Sequence, residues 1–195
     1  RSTSHTDGCG NTTTTDFTPS GVGAANLGPV TKKVVTNPKG HQVETWLETG
    51  RGVPIKVEDE NDHVTSASYD ALGRVAQVWR PGRTQGVDSP TNRYTYALNN
   101  TTHSYLRTEN LLRDGTYSST YDIYDALLRV VESQSESPVT TSERVITTTK
   151  FDSRGQTVQV LGPYKVAGSG PSGTYYEPSV VQVENNHKFS FDGAG

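Results

Sequence analysis

Tyr69-Asp70-Ala71-Leu72-Gly73-Arg74 recurs along this chain in related forms. The clearest later copies are Tyr124-Asp125-Ala126-Leu127-Leu128-Arg129 and Phe151-Asp152-Ser153-Arg154-Gly155-Gln156. A weaker copy is Thr36-Asn37-Pro38-Lys39-Gly40-His41, and Phe191-Asp192-Gly193-Ala194-Gly195 is a truncated one. The interval between successive copies varies from 27 to 55 residues, which is too loose for a solenoid of identical coils. We therefore interpret the chain as an array of similar hairpins whose strands and loops vary in length.

Each copy lies between segments rich in Val, Thr and aromatic residues, which favour extended backbone. Within a copy, the Asp can accept hydrogen bonds from the backbone N–H groups that follow it. The Gly, four residues after the aromatic residue, can supply the positive φ that closes a hairpin connection. In one copy Leu128 replaces this Gly, so that turn must either differ in geometry or carry strain.

We predict structural roles for the motif residues. The aromatic residue should anchor the strand against a neighbour, and the Arg should lie over a ring or pair with a carboxylate of the adjacent repeat. The predicted turn residues are Tyr69, Asp70, Gly73, Arg74, Tyr124, Asp125, Arg129, Phe151, Asp152 and Gly155.

The density of turn signals predicts an all-β fold, an array of antiparallel β-hairpins that forms a curved sheet. Residues 125–133 are the nearest candidate for a helix, and we predict strand there as well. Hydrophobic residues make up 31% of the chain, which suits a single-layer sheet, although the sequence does not distinguish that sheet from a collapsed sandwich. We expect a partly irregular segment over residues 1–29 and the repeat region over residues 30–195. Disorder is expected near residues 1–20 and 166–173, where Gly, Ser, Thr and Pro dominate.

Charge and composition exclude several classes of protein. The net charge is −3 with both signs interspersed, so no basic stripe indicates a nucleic-acid partner. No apolar run approaches the ~18 residues of a membrane span. Cys9 is the single cysteine and cannot form an internal disulfide. Because the chain has no methionine, Arg1 is not a translation start, and we expect a piece of a longer polypeptide.

The repeated motif resembles the YD repeats of the RHS (rearrangement hotspot) family, whose pattern is Tyr-Asp-x-x-Gly-Arg. The resemblance covers most of residues 30–195, and the phrases at residues 111–117 and 120–125 also look like bacterial members. It implies a long sheet of hairpins that spirals into a hollow shell. Such shells enclose a C-terminal toxic domain in bacterial polymorphic toxins, and a similar shell supports cell adhesion in teneurins.

The resemblance implies that this chain is a structural segment of such a shell, which encapsulates or presents a toxin or other C-terminal cargo domain of a larger secreted protein. The expected location is secreted or at the cell surface, and the expected partner is the remainder of the parent polypeptide. The self-cleavage signature and the variable toxin domain of the family are missing here, so we expect neither self-processing nor toxicity. A segment too short to close a cavity leaves sheet edges open to edge-to-edge self-association.

A binding module for carbohydrate or a cell-surface protein is the alternative function. Its candidate ligand-stacking residues are Trp46, Trp79, Tyr94, Tyr96 and Tyr105, although aromatic residues in strands also pack against cross-strand neighbours. A third possibility is a glycan hydrolase, which needs two carboxylates about 5–10 Å apart in a cleft. We expect the motif aspartates to bind local amides instead, and we predict no catalytic residue and no enzyme.

We predict neither a metal site nor a cofactor. The five histidines are scattered, and none pairs with another at metal-ligand spacing near the cysteine. The acidic residues 58–62 could hold calcium, but a solvated hairpin turn is favoured because the Gly and terminal Glu of a helix-loop-helix site are missing. The glycine-rich residues 168–173 lack the Lys-Ser/Thr pair that grips phosphate and are predicted to be a loop.

Overall fold

The computed structural model describes residues 2–19, 28–140, 142–178, 183 and 185–192. Within these ranges the chain is all-β, with fourteen strands and no helix. The strands are β1 (Ser2–Thr6), β2 (Thr12–Thr18), β3 (Lys32–Thr36), β4 (Gln42–Leu47), β5 (Pro54–Glu58), β6 (Val64–Tyr69), β7 (Val75–Trp79), β8 (Asn92–Ala97), β9 (Ser104–Leu111), β10 (Tyr117–Tyr124), β11 (Val130–Glu136), β12 (Glu143–Phe151), β13 (Thr157–Ala167) and β14 (Asn186–Lys188). The predicted all-β array of antiparallel hairpins is confirmed.

The chain divides into two compact units, residues 1–92 and 93–195. In the first unit, β1 to β7 pair antiparallel, each with the next along the chain. In the second unit, β9 to β14 pair in the same way. Antiparallel neighbours can be joined by tight turns, so turn chemistry fixes most of this topology. The division between residues 1–29 and 30–195 stays a prediction.

The copies of the motif occupy hairpin connections. β6 and β7 flank residues 70–74, and β12 and β13 flank residues 152–156. The copy at residues 125–129 joins β10 to β11, so the strand predicted over residues 125–133 is wrong for residues 125–129, which form the turn, and is present from residue 130 onward. The truncated copy at residues 191–195 extends beyond the described part of the chain.

Regular structure begins earlier than the composition suggested. β1 and β2 pair from Ser2↔Asp16 to Thr6↔Thr12, so the disorder predicted near residues 1–20 is wrong for these strands. β2 is rich in threonine, whose branched Cβ favours the pleated backbone even where little surface is buried. The second stretch of predicted disorder is wrong at Val166 and Ala167, which end β13, whereas residues 168–173 lie outside the strands.

Burial in the second unit centres on β10 to β13. Ile123 and Ile146 have no exposed surface, and Leu161, Tyr164 and Val183 are between 3% and 7% exposed. In the first unit Trp79 is the buried aromatic residue, and its indole N–H donates to the carbonyl of Asp88 at 2.9 Å. Each unit therefore buries a few side chains, while many of its other strand residues are half-buried.

Candidate functional site

The recurring turn is closed by one set of hydrogen bonds. In the copy at residues 70–74, the Asp70 N–H donates to the carbonyl of Arg74 at 2.9 Å and the Gly73 N–H to the carbonyl of Asp70 at 3.0 Å. Oδ1 of Asp70 accepts the N–H groups of Leu72 and Arg74, both at 2.9 Å. One carboxylate oxygen therefore satisfies two amides inside the loop, as expected from the sequence.

The same pair of side-chain bonds recurs in other copies. Asp125 and Asp152 each accept the N–H groups two and four residues ahead, at 2.8–3.0 Å. Asn37 does the same at 2.9 and 3.0 Å, so an amide oxygen can replace the carboxylate. The predicted turn aspartates thus accept hydrogen bonds from backbone N–H groups of their own turns.

Two further turns of this kind were not recognised as copies. Asp7 accepts the N–H groups of Cys9 and Asn11, both at 2.9 Å. Asp59 accepts those of Asn61 and His63 at 2.9 and 3.0 Å, so the acidic residues 58–62 include a hairpin turn, as favoured from the sequence. Neither Asp follows an aromatic residue, and the remaining signal is an Asp three residues before a Gly or Asp.

The fourth position of the turn takes a left-handed backbone conformation. Gly40, Gly73 and Gly155 have φ between 81° and 86° there. Leu128 has φ 59°, and its N–H donates to the carbonyl of Asp125 at 3.0 Å as in the glycine copies. Of the two alternatives predicted for this copy, the turn keeps the common geometry and Leu128 bears the strain.

The motif arginines bind the aspartate of their own turn. Nε and Nη2 of Arg74 lie 2.7 Å from Oδ2 of Asp70, and those of Arg129 lie 2.7 and 2.6 Å from Oδ2 of Asp125. The carboxylate partner shown for both arginines lies in their own turn rather than in the adjacent repeat. The predicted ring contact is present, since the Arg129 guanidinium lies 4.4 Å from the ring centre of Phe151.

Neighbouring turns also contact each other within a unit. Arg51, in the β4–β5 connection, donates from Nη2 to the carbonyl of Ala71 at 2.6 Å. A Cβ on Gly73 would lie 3.2 Å from Cδ of Arg51, and a Cβ on Gly155 would lie 3.4 Å from Nη1 of Arg129. Glycine at the fourth position therefore leaves space for the arginine of a neighbouring turn, besides permitting the positive φ.

The predicted aromatic residues are largely engaged by other protein groups. In the first unit, Nζ of Lys32 and of Lys56 lie 4.7 and 4.1 Å from the ring centre of Trp46. These lysines pair with Trp46 across β3, β4 and β5, and Trp79 in the same unit is 5% exposed. The anchoring role predicted for Tyr69 is seen in its hydroxyl, which donates to the carbonyl of Pro54 at 2.6 Å.

In the second unit, the Tyr105 ring is tilted against Tyr121, with centroids 5.4 Å apart. Gly173 packs so closely on Tyr105 that a Cβ there would lie 2.2 Å from the ring. Tyr94 and Tyr96 are half-buried on β8. The structure therefore places protein groups against Trp46, Trp79 and Tyr105, and the ligand-stacking role of the five residues stays a prediction.

A buried polar cluster in the second unit was missed by sequence reasoning. Glu132, Gln134 and Thr148 are at most 1% exposed. Nε2 of Gln134 donates to Oε1 of Glu132 at 2.6 Å, and the Thr148 hydroxyl lies 3.1 Å from that of Tyr164. Burial raises the pKa of the Glu132 carboxyl, partly offset by the hydrogen bonds that it accepts. Polar residues occupy both faces of β11, so its sequence pattern does not indicate which face is covered.

Residues 169–177, which we call the strap, cover this cluster. The Thr174 carbonyl accepts Nε2 of Gln134 at 2.8 Å, and the Tyr176 N–H donates to Oε1 of Glu132 at 3.2 Å.

No group of three or more His, Cys, Asp or Glu side chains suited to a metal ion occurs among the residues that the structure describes. Over the same residues, no helix has the length and hydropathy needed to span a membrane.

No protein-family model matches this chain. A search of curated proteins likewise gives no match.

Proposed function

We propose that this chain is a structural segment of the wall of an RHS/YD-repeat β-shell. The shell encapsulates or presents a toxin or other C-terminal cargo domain of a larger secreted protein. The observation that carries the proposal is the repeated turn, closed by an Asp or Asn side chain at residues 7, 37, 59, 70, 125 and 152. One turn geometry used repeatedly lets successive hairpins lie side by side with little variation.

The chemistry of the motif supports a structural role. Both oxygens of Asp70 and Asp125 are engaged within their own turns, so these carboxylates hold backbone rather than face a substrate. Arg129 lies against Phe151 and Gly155 of the next motif turn, and Arg51 of the β4–β5 connection lies against Gly73. These contacts stabilise lateral packing of hairpins, which is what a wall requires.

Limited proteolysis of the parent polypeptide tests the proposal. The cargo domain within the intact parent should resist a protease concentration that digests the same domain produced alone. An Asp125→Ala/Asp152→Ala parent should expose the cargo sooner, because two turns lose the acceptor of their amides. Glu60→Ala is the matched control, since it removes an exposed carboxylate from a turn whose amides are accepted by Asp59 instead.

Equal digestion of the cargo in the intact parent and in isolation would contradict enclosure. Saturable binding to a glycan array, combined with a fully accessible cargo, would favour the carbohydrate-binding alternative instead.

A further inference from the structure

The strap is held mainly through its main chain. Gln134 uses both ends of its amide: Nε2 donates to the carbonyl of Thr174 at 2.8 Å, and Oε1 accepts the N–H of Ser172, also at 2.8 Å. Glu132 accepts the N–H of Tyr176 at 3.2 and 3.3 Å with its two oxygens. Any extended peptide offers these carbonyl and N–H groups, so this part of the recognition does not depend on the side chains of the strap.

Side chains of the strap add a limited set of requirements. Gly173 lies against Tyr105, where no Cβ fits. Tyr175 stacks on His103 with ring centroids 4.7 Å apart and an interplanar angle of 20°. Tyr176 lies 6.4 Å from Tyr164 between ring centres. The face beneath therefore selects a glycine followed two and three residues later by aromatic residues.

Charged contacts lie near both ends of the strap. Nη1 of Arg144 donates to Oγ of Ser169 at 3.2 Å, and its guanidinium carbon lies 5.5 Å from the ring centre of Tyr176. Nζ of Lys150 pairs with the Glu177 carboxylate at 3.1 Å on an exposed surface, which makes this ion pair a weak fastening. Gly168, with φ 105°, joins the strap to β13. Tyr176 of the strap packs against the buried cluster of Ile146, Leu161, Tyr164 and Val183, so a strap that leaves through its glycine junction uncovers part of that cluster.

We propose that the sheet face formed by Tyr105, Glu132, Gln134, Arg144 and Thr148 is a binding groove for a peptide that bends at Gly173 and Thr174, which the strap fills within one chain and the strap of a second copy fills when the first is displaced. Recognition through main-chain groups with a few selective side-chain positions is a recurrent mode of peptide binding. Exchange of an identical element between copies adds no contact that the single chain does not already make.

A labelled peptide of residues 168–178 tests the groove when it is added to the Gly173→Val chain. The valine cannot occupy the site on Tyr105, so the cis strap is displaced while every groove residue is retained. We expect saturable binding by fluorescence anisotropy. The wild-type chain should bind the peptide about tenfold or more weakly, because its own strap competes at a high effective concentration.

Two controls separate groove binding from adhesion to the sheet. A peptide that carries Gly173→Val should not bind, and Gln134→Leu introduced into the Gly173→Val chain should abolish binding of the unmodified peptide. Equal binding of both peptides, or no binding to a Gly173→Val chain whose circular dichroism shows an intact sheet, would overturn the proposal.

Hydrogen exchange of the wild-type chain supplies a test that needs no variant. The amides of Ser172 and Tyr176 should exchange more slowly than the same amides of the free peptide, because they donate to Gln134 and Glu132. Exchange at the rate of the free peptide would show that no groove holds this segment, whether or not the Gly173→Val chain folds.

Discussion

Leu128 takes a backbone conformation that residues other than glycine adopt at a cost. The copies at residues 36–41, 69–74 and 151–156 have glycine at this position. Its φ of 59° falls in the left-handed region, and its side chain is 67% exposed. Little burial offsets the strain, because the side chain points into solvent. The turn still forms, since the bonds made by Asp125 and the flanking strands fix the conformation of the whole loop.

Leu128→Gly should therefore stabilise the protein, by about 0.5–1 kcal/mol after the greater flexibility of glycine in the unfolded chain is counted. Chemical denaturation followed by circular dichroism measures the change. Leu127→Gly is the matched control: this side chain is 72% exposed, but its φ is not positive, so glycine there should destabilise. A loss of stability in Leu128→Gly would show that the leucine side chain makes a contribution larger than the strain.

At the scale of the element, the hairpin turns that begin at residues 7, 37, 59, 70, 125 and 152 have a side-chain oxygen acceptor at their first position. The Asp70 carboxylate accepts the Arg74 N–H, and this bond, assisted by the Arg74 guanidinium, holds the pKa of Asp70 below its usual 3.8. Asn37 makes the same backbone bonds in its own turn without a charge. An uncharged oxygen therefore accepts these backbone amides as well, and the charge of Asp70 adds the pair with Arg74.

The sign of the pH dependence follows from the lowered pKa. A carboxyl with a lower pKa in the folded state contributes stability that is complete above about pH 4 and is lost as the pH falls through the folded-state pKa. Wild type should thus be more stable than Asp70→Asn at pH 6, and the difference should shrink as the pH falls towards 2. Denaturant midpoints of both proteins across this range measure it. A difference that does not change with pH would exclude the Asp70–Arg74 pair as its source.

At the scale of the whole molecule, burial is concentrated in a few strands. β1 is exposed along its entire length, whereas Ile146 and Thr148 of β12 have no exposed surface. Strands with little buried surface open locally at a lower free energy than strands in a packed core. The two units are therefore expected to differ in local stability.

Hydrogen exchange should rank the strands accordingly. Amides of β12 that are bonded to β11 and β13 should exchange most slowly, and those of β1 and β2 should exchange fastest among the strands. Ile146→Ala should speed exchange across β11 to β13, because it leaves a cavity beneath the strap that costs about 2–5 kcal/mol. Exchange in β1 as slow as in β12 would contradict this ranking.

The hairpins, their turns and the all-β class were predictable because the bonds that define them are local. Asp70 bonds to residues two and four positions ahead, so a six-residue motif contains the whole turn. The copy at Asp7 was not predicted because it lacks the aromatic residue and the Arg of the motif. It keeps only the oxygen acceptor and the glycine. Leu128 shows the same point, since the sequence predicted strain or a new geometry and the structure decided between them.

The amino-acid sequence by itself determined where the chain reverses and which residues close each turn. The tertiary structure alone decided which sheet face is covered and by what: Gln134 bonds to residues 38 and 40 positions away, and Glu132 to one 44 positions away. The engagement of Trp46 by lysines of two neighbouring strands likewise depends on strand register. Turn bonds form between groups that the chain already holds close, whereas the strap and the aromatic contacts exist only after distant segments have packed together.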